Sequence, residues 1–213
     1  MKLTILYRGG LSMYTYGYLL YLPITIIFSL LFIINGCIGK RPLGYYVMAL
    51  LAVIYINKAI ELAFFPFLIA DIPEFTIYNS INFKINLMSL NKIQLIGNIA
   101  LTIPIGIGIQ YLVNSKFIGR LFLSIALALS FELIQLILLF TLKPIDIFFD
   151  VNDIICNVTG AILGLFIACA INKLLSNIPL KSNRGLFSYI HQVCINCSNN
   201  KNSLNDIYRS KAS

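Results

Sequence analysis

The sequence predicts an all-α, polytopic bundle of about five membrane-spanning helices, and three observations lead there. Of 213 residues, 59% are hydrophobic and 11% charged, against roughly 25% charged in a soluble domain. The mean hydropathy is +0.86, and the apolar residues gather in windows near the length of about 20 that a helix needs to cross a hydrocarbon core about 30 Å thick. The windows lack period-2 alternation, and an open sheet leaves its edge groups unsatisfied in lipid, so strands are excluded as spanning elements. A soluble fold is excluded with them.

The first window, 16–36, is "YGYLLYLPITIIFSLLFIING". Its apolar run exceeds the roughly 7 to 15 residues of a signal-peptide core and no A-x-A-like site follows, so it is read as a retained helix. The second window, 43–69, carries Lys58 and Glu61 within it. The third, 93–113, holds Gln94 and Asn98 and then "IPIGIG", where Pro104, Gly106 and Gly108 permit a kink or close packing. Glu132 and Gln135 interrupt the fourth, 118–140. The fifth, 153–175, opens with Asp153 and Asn157, is preceded by Asp150 and Asn152, and contains "GAILG". Gly160 and Gly164 in that string form a small-xxx-small pattern suited to close helix approach. Residues 1–175 are thus read as the membrane domain and 176–213 as a polar, basic tail on the cytoplasmic side.

Orientation follows from the excess of lysine and arginine in cytoplasmic loops. Alternate segments hold Lys40, Arg41, Lys116, Arg120, Lys173, Lys181, Arg184, Lys201, Arg209 and Lys211, ten in all, against Lys2, Arg8, Lys84, Lys92 and Lys143, five in all. The expected arrangement is therefore N-terminus outside and C-terminus inside. The net charge of +8 reads as a topology signal and an attraction to anionic headgroups. Basic residues dispersed in this way do not make a nucleic-acid surface.

With that orientation, a rise of about 1.5 Å per residue assigns depths to the intramembrane polar residues. Gln94, Asn98, Glu132, Gln135, Asp153 and Asn157 fall in the outer half, as do Lys58 and Glu61. The pairs Lys58/Glu61 and Glu132/Gln135 are spaced i,i+3, and Gln94/Asn98 and Asp153/Asn157 i,i+4, so each pair shares a helix face. A central charge costs about 2.5 to 3.5 kcal/mol on insertion scales, and such residues usually pair or line an interior cavity. Lys58 is the expected counter-charge for Glu61 or Glu132. Single amides often serve only to join helices, whereas Glu132, Asp150 and Asp153 are the candidates for chemistry.

The segments "GNIALTIPIGIG", "SFELIQ" and "FFDVNDIICNVTGAILG", in that order over about residues 84–170, resemble the VanZ-like family of bacterial membrane proteins. The resemblance implies that Asn98, Pro104, Gly106, Glu132, Gln135, Asp150, Asp153, Asn157 and Gly160 are family positions. Two departures stand out: Asn152 occupies an acidic position of the family's D-x-D-D run, and Ile147 stands where an arginine is usual. The resemblance also implies a bacterial plasma membrane and a cell-envelope setting, with the namesake associated with resistance to teicoplanin. Most members have no established biochemical activity.

Three functional readings follow. In the first, an outward-facing polar cavity of Gln94, Asn98, Glu132, Gln135, Asp153 and Asn157 binds an envelope lipid, a headgroup or a lipid-linked envelope component, without a cofactor. The second makes Glu132, Asp150 and Asp153 the acid, base or divalent-cation ligands of an intramembrane enzyme. A third strings Lys58, Glu61 and Glu132 into the proton relay of a transporter. In the tail, His191, Cys194 and Cys197 supply three soft ligands where a structural zinc site wants four, and "LFSYIHQVCI" has the pattern of a short interfacial helix.

Overall fold

A computed structural model describes residues 4–8, 11–15, 21–64, 67–70, 80–86, 91–142, 144, 147–175 and 186–195. Five long helices dominate it: α1 (Tyr21–Ile38), α2 (Leu43–Phe64), α3 (Lys92–Leu112), α4 (Phe117–Leu142) and α5 (Val151–Leu175). A short α6 covers Leu186–Ile195. By length and composition α2, α3, α4 and α5 can each cross a membrane. The 18-residue α1 sits at the short end of the spanning range of roughly 17–25.

Small strands accompany the helices where the sequence suggested none. An antiparallel sheet joins β1 (Thr4–Arg8), β2 (Leu11–Thr15) and β3 (Phe67–Ala70), in that order. A parallel pair joins β4 (Ile81–Asn82) to β5 (Phe149–Asp150). The expected second span, 43–69, is cut short by this arrangement: α2 stops at Phe64, ahead of Pro66, whose ring disfavours helix in the preceding residue. The apolar run beyond the proline pairs with β2 instead.

α3 and α5 form the most extensive interface of the bundle. A Cβ added at Gly160 would fall on Ile99 O and Thr102 Oγ1, one at Gly164 on Ile103 O, and one at Gly106 on Ala161 O. The two backbones therefore meet with no side chain between them, as small-residue contacts in membranes allow. Thr102 is fully buried at this crossing, its hydroxyl shared between Asn98 O at 3.0 Å and Ile99 O at 3.2 Å. Pro104 lies inside α3 and donates no hydrogen bond to the preceding turn. Close by, Tyr55 of α2 donates its hydroxyl to Leu101 O.

α1 leans on α2, with Thr25 Oγ1 donating to Asn57 Oδ1 at 2.5 Å. Its Leu22, Ile26, Ile27, Leu30 and Leu31 are exposed, the all-round apolarity of a helix facing lipid.

At the end where α2 starts and α3 and α5 finish, α6 is docked rather than loose. Tyr189 and Cys194 are buried. The Tyr189 hydroxyl donates to Tyr111 O, its ring meets Tyr45 edge-on at 6.1 Å, and Cys194 Sγ donates to Asn172 Oδ1 at 2.9 Å. Burial pushes the Tyr189 hydroxyl up to about 12, so it keeps its proton for that bond. Part of the segment read as a polar tail is thus a packed helix, because its apolar face finds Tyr45, Tyr111 and Leu112 to cover. Cys197 lies outside the described residues.

The α3–α5 contact generates the first prediction. Gly160→Val overpacks the crossing, a change that costs about 1–3 kcal/mol, and the thermal transition of the detergent-purified protein should fall by several degrees. Gly108→Ala, where an added Cβ meets nothing within 4 Å, should leave the transition unchanged or raise it.

Candidate functional site

The site is built at the opposite end, where α3 and α5 begin. Pairing of β4 with β5 sets Asn82 beside Asp150, and Asn82 Nδ2 donates to Asp150 Oδ2 at 3.0 Å. Asp150 immediately precedes α5, and its Oδ1 accepts from the Asn152 backbone N–H at 2.8 Å. That is an N-cap, and Asp153 adds a second acid in the first turn, where the helix dipole favours negative charge. Both aspartates therefore have a structural role in starting α5.

Asn152 ties this corner together. It is 1% exposed. Its Nδ2 donates to Lys84 O at 3.0 Å and Asp150 Oδ1 at 2.7 Å, and its Oδ1 accepts from the Asn86 N–H at 2.8 Å. An aspartate here would lose both donations and place a second carboxylate against Asp150. The departure from the family's acidic run is thus a working amide in this chain. Ile147, the other departure, is buried and brings no charge to the site.

Deeper along α5 the polar residues continue. Gln94 of α3 donates Nε2 to both oxygens of Asp153 at 3.1 Å, and Asn98, one turn further along α3, also addresses that carboxylate. Asn157, one turn beyond Asp153, donates Nδ2 to Glu132 Oε1 at 3.1 Å. Glu132 is 2% exposed and lies within electrostatic reach of both Asp150 and Asp153. Between the helix ends opens a cavity of about 260 Å³ lined by Ser80, Asn82, Gln94, Phe148, Phe149, Asp150 and Asp153. Phe83 packs on Phe149 at its edge, ring centres 5.9 Å apart.

The structure brings together Gln94, Asn98, Glu132, Asp150, Asp153 and Asn157, and leaves three expected members elsewhere. Lys58 and Glu61 pair with each other at 2.7 Å on the outer face of α2, with side chains 65% and 46% exposed. Their spacing fixed a shared face but not its direction, and the face turns away from Glu132. A relay from Lys58 through Glu61 to Glu132 is therefore not assembled. Gln135 lies at the seam of α2 and α4, its Nε2 reaching Ala63 O at 3.4 Å, next to the stacked rings of Phe64 and Phe131. Among the described residues no group of three or more His, Cys, Asp and Glu side chains is placed to hold a metal ion. The three carboxylates are strung along the helices, not gathered around a point.

Ser80 and Asn82 were not expected in the site. They sit in a connection without periodicity, where a lone amide carries no signal until strand pairing places it.

A family model described as VanZ/LLP1 matches residues 16–172, which takes in every residue of the site and stops short of α6. No curated protein and no solved structure matches the chain.

The Asn152 tie predicts a local effect. Asn152→Ala removes all three hydrogen bonds from a buried position, leaving partners unpaired at about 1–3 kcal/mol each. Hydrogen exchange followed by mass spectrometry should speed up at the Asn86 amide while the α3–α5 crossing keeps its protection.

Proposed function

On the premise that this chain belongs to the VanZ-like family, we propose that it is a bacterial plasma-membrane factor whose cavity receives the headgroup of an envelope lipid or lipid-linked envelope component, and so modulates sensitivity to teicoplanin-type glycopeptides. The observation that carries the reading is the position and lining of the cavity. It lies at the end of spanning helices, with Phe148, 55% exposed, in its lining and Phe83, 71% exposed, packed on the lining residue Phe149. Aromatic rings at that level suit the boundary between hydrocarbon and headgroups. Its carboxylates and amides, Asp150, Asp153, Asn82 and Gln94, are the partners a polar headgroup asks for. The ligand's acyl chains remain in the bilayer, beside the exposed apolar faces of the helices.

In this reading the cavity faces outward, the N-terminus lies outside and the C-terminus, with α6, lies in the cytoplasm. The excess of lysine and arginine on the α6 side supports that orientation. A green fluorescent protein fused to the C-terminus should fluoresce, and an alkaline phosphatase fused there should be inactive. The reverse pattern would turn the cavity inward.

The functional test is teicoplanin and vancomycin susceptibility in a host lacking the protein, complemented with wild type or Asp153→Asn, with membrane abundance checked by blot. Wild type should protect against teicoplanin and the variant should not, at equal abundance. Equal protection by both would remove the cavity from the function.

A further inference from the structure

One turn below the cavity, two buried oxygens lack a hydrogen-bond partner among the described residues, although the Asp150 backbone addresses the Glu132 carboxyl group. Asn157 Nδ2 donates to Glu132 Oε1 at 3.1 Å, which fixes which end of the amide carries the oxygen. Glu132 Oε2 and Asn157 Oδ1 then have no hydrogen-bond partner among the described residues, although each residue is 2% exposed. A buried polar group left unsatisfied costs about 1–3 kcal/mol, and more when charged. Asn157 Oδ1 only accepts, and Glu132 Oε2 accepts when the carboxyl group is ionised, so a donor from outside the pair can complete both.

The surroundings narrow that donor. Asp153 sits one turn above Asn157 on the same face of α5, about 6 Å along the axis toward the start of the helix. Glu132 interacts with both Asp153 and Asp150, which line the cavity together with amides and no basic side chain among the described residues. Among the described residues the acidic groups thus run from the cavity lining to Glu132 beneath it with no basic side chain in that lining. A phosphate brought among them would meet like charge, which costs several kcal/mol. A metal ion finds no clustered ligand set there. An ammonium group carries three donors and no acceptor, and Phe148 and Phe149 offer ring faces that attract a cation. At about 260 Å³ the cavity lies below the roughly 300–1,000 Å³ of sites for drug-sized ligands. It suits a small headgroup, not a whole glycopeptide.

We propose that the cavity selects a primary ammonium: the headgroup amine of an envelope lipid passes Asp150 and Asp153 and donates to Glu132 Oε2 and Asn157 Oδ1. This inference rests on the headgroup reading above and narrows its ligand. The lipid's phosphate stays at the opening, outside the ring of carboxylates.

The test uses the full chain in detergent and native mass spectrometry with short-chain phosphatidylethanolamine, its N-acetylated analogue and short-chain phosphatidylglycerol, each also competed with free ethanolamine. Wild type should bind the ethanolamine lipid about tenfold more tightly than either other lipid. Glu132→Gln should abolish that preference while eluting from size exclusion as wild type does. Competition by ethanolamine at the lipid's own concentration would keep the amine and overturn the lipid as its source. Equal binding of all three lipids, lost in Asp153→Asn, would overturn the amine inference, leave the headgroup reading standing and assign the two oxygens to ordered water. Absence of binding by every probe would overturn both.

Discussion

The bare backbone contact between α3 and α5 is the constraint on which the rest of the molecule depends. Because Gly106, Gly160 and Gly164 put carbonyl groups where side chains would otherwise stand, Gln94 reaches across from one helix to Asp153 on the other. A wider separation would leave that carboxylate without its amide partner. The same closeness buries Thr102 and obliges it to satisfy its hydroxyl within its own helix, as buried polar groups in lipid must. Packing and polar chemistry are thus one problem in this bundle, solved by residues that have no side chain.

Much of this was legible in the sequence, and what was not has identifiable causes. Long apolar windows fix helices well because lipid admits few alternatives, and α4 and α5 lie within two residues of their expected bounds. The order of the three motif segments also pointed to the family that the match over 16–172 establishes. The i,i+4 pairs Gln94/Asn98 and Asp153/Asn157 did identify facing surfaces, since each pair meets the other's helix or Glu132. Lys58 and Glu61 obeyed the same spacing rule and do pair with each other as expected, but not with Glu132, because periodicity relates residues of one helix and says nothing of which neighbour they meet. The strands failed to register for a related reason: two-residue pairings such as β4 with β5 are too short to leave a pattern.

Asn152 illustrates how a departure from a family pattern can be compatible with an intact site. The amide performs three hydrogen bonds in a corner with 1% exposure. Low polarity strengthens such bonds and makes an unpaired member costly. An acid at this position in another member would need a different arrangement of the 80–86 segment. The identity of the residue and the path of that segment are therefore linked.

The division of the cavity lining between helices and connections has a consequence for how such a protein changes over time. Gln94 and Asp153 stand on the helices whose crossing tolerates no added atom, whereas Ser80, Asn82, Phe148 and Phe149 stand on segments outside them. Substitutions in connecting segments are absorbed more easily than substitutions in packed helices. The rim of the cavity can thus change by drift in the connections at little structural cost, while Asp153 and its amide partner Gln94 are held in place by the packing of their helices.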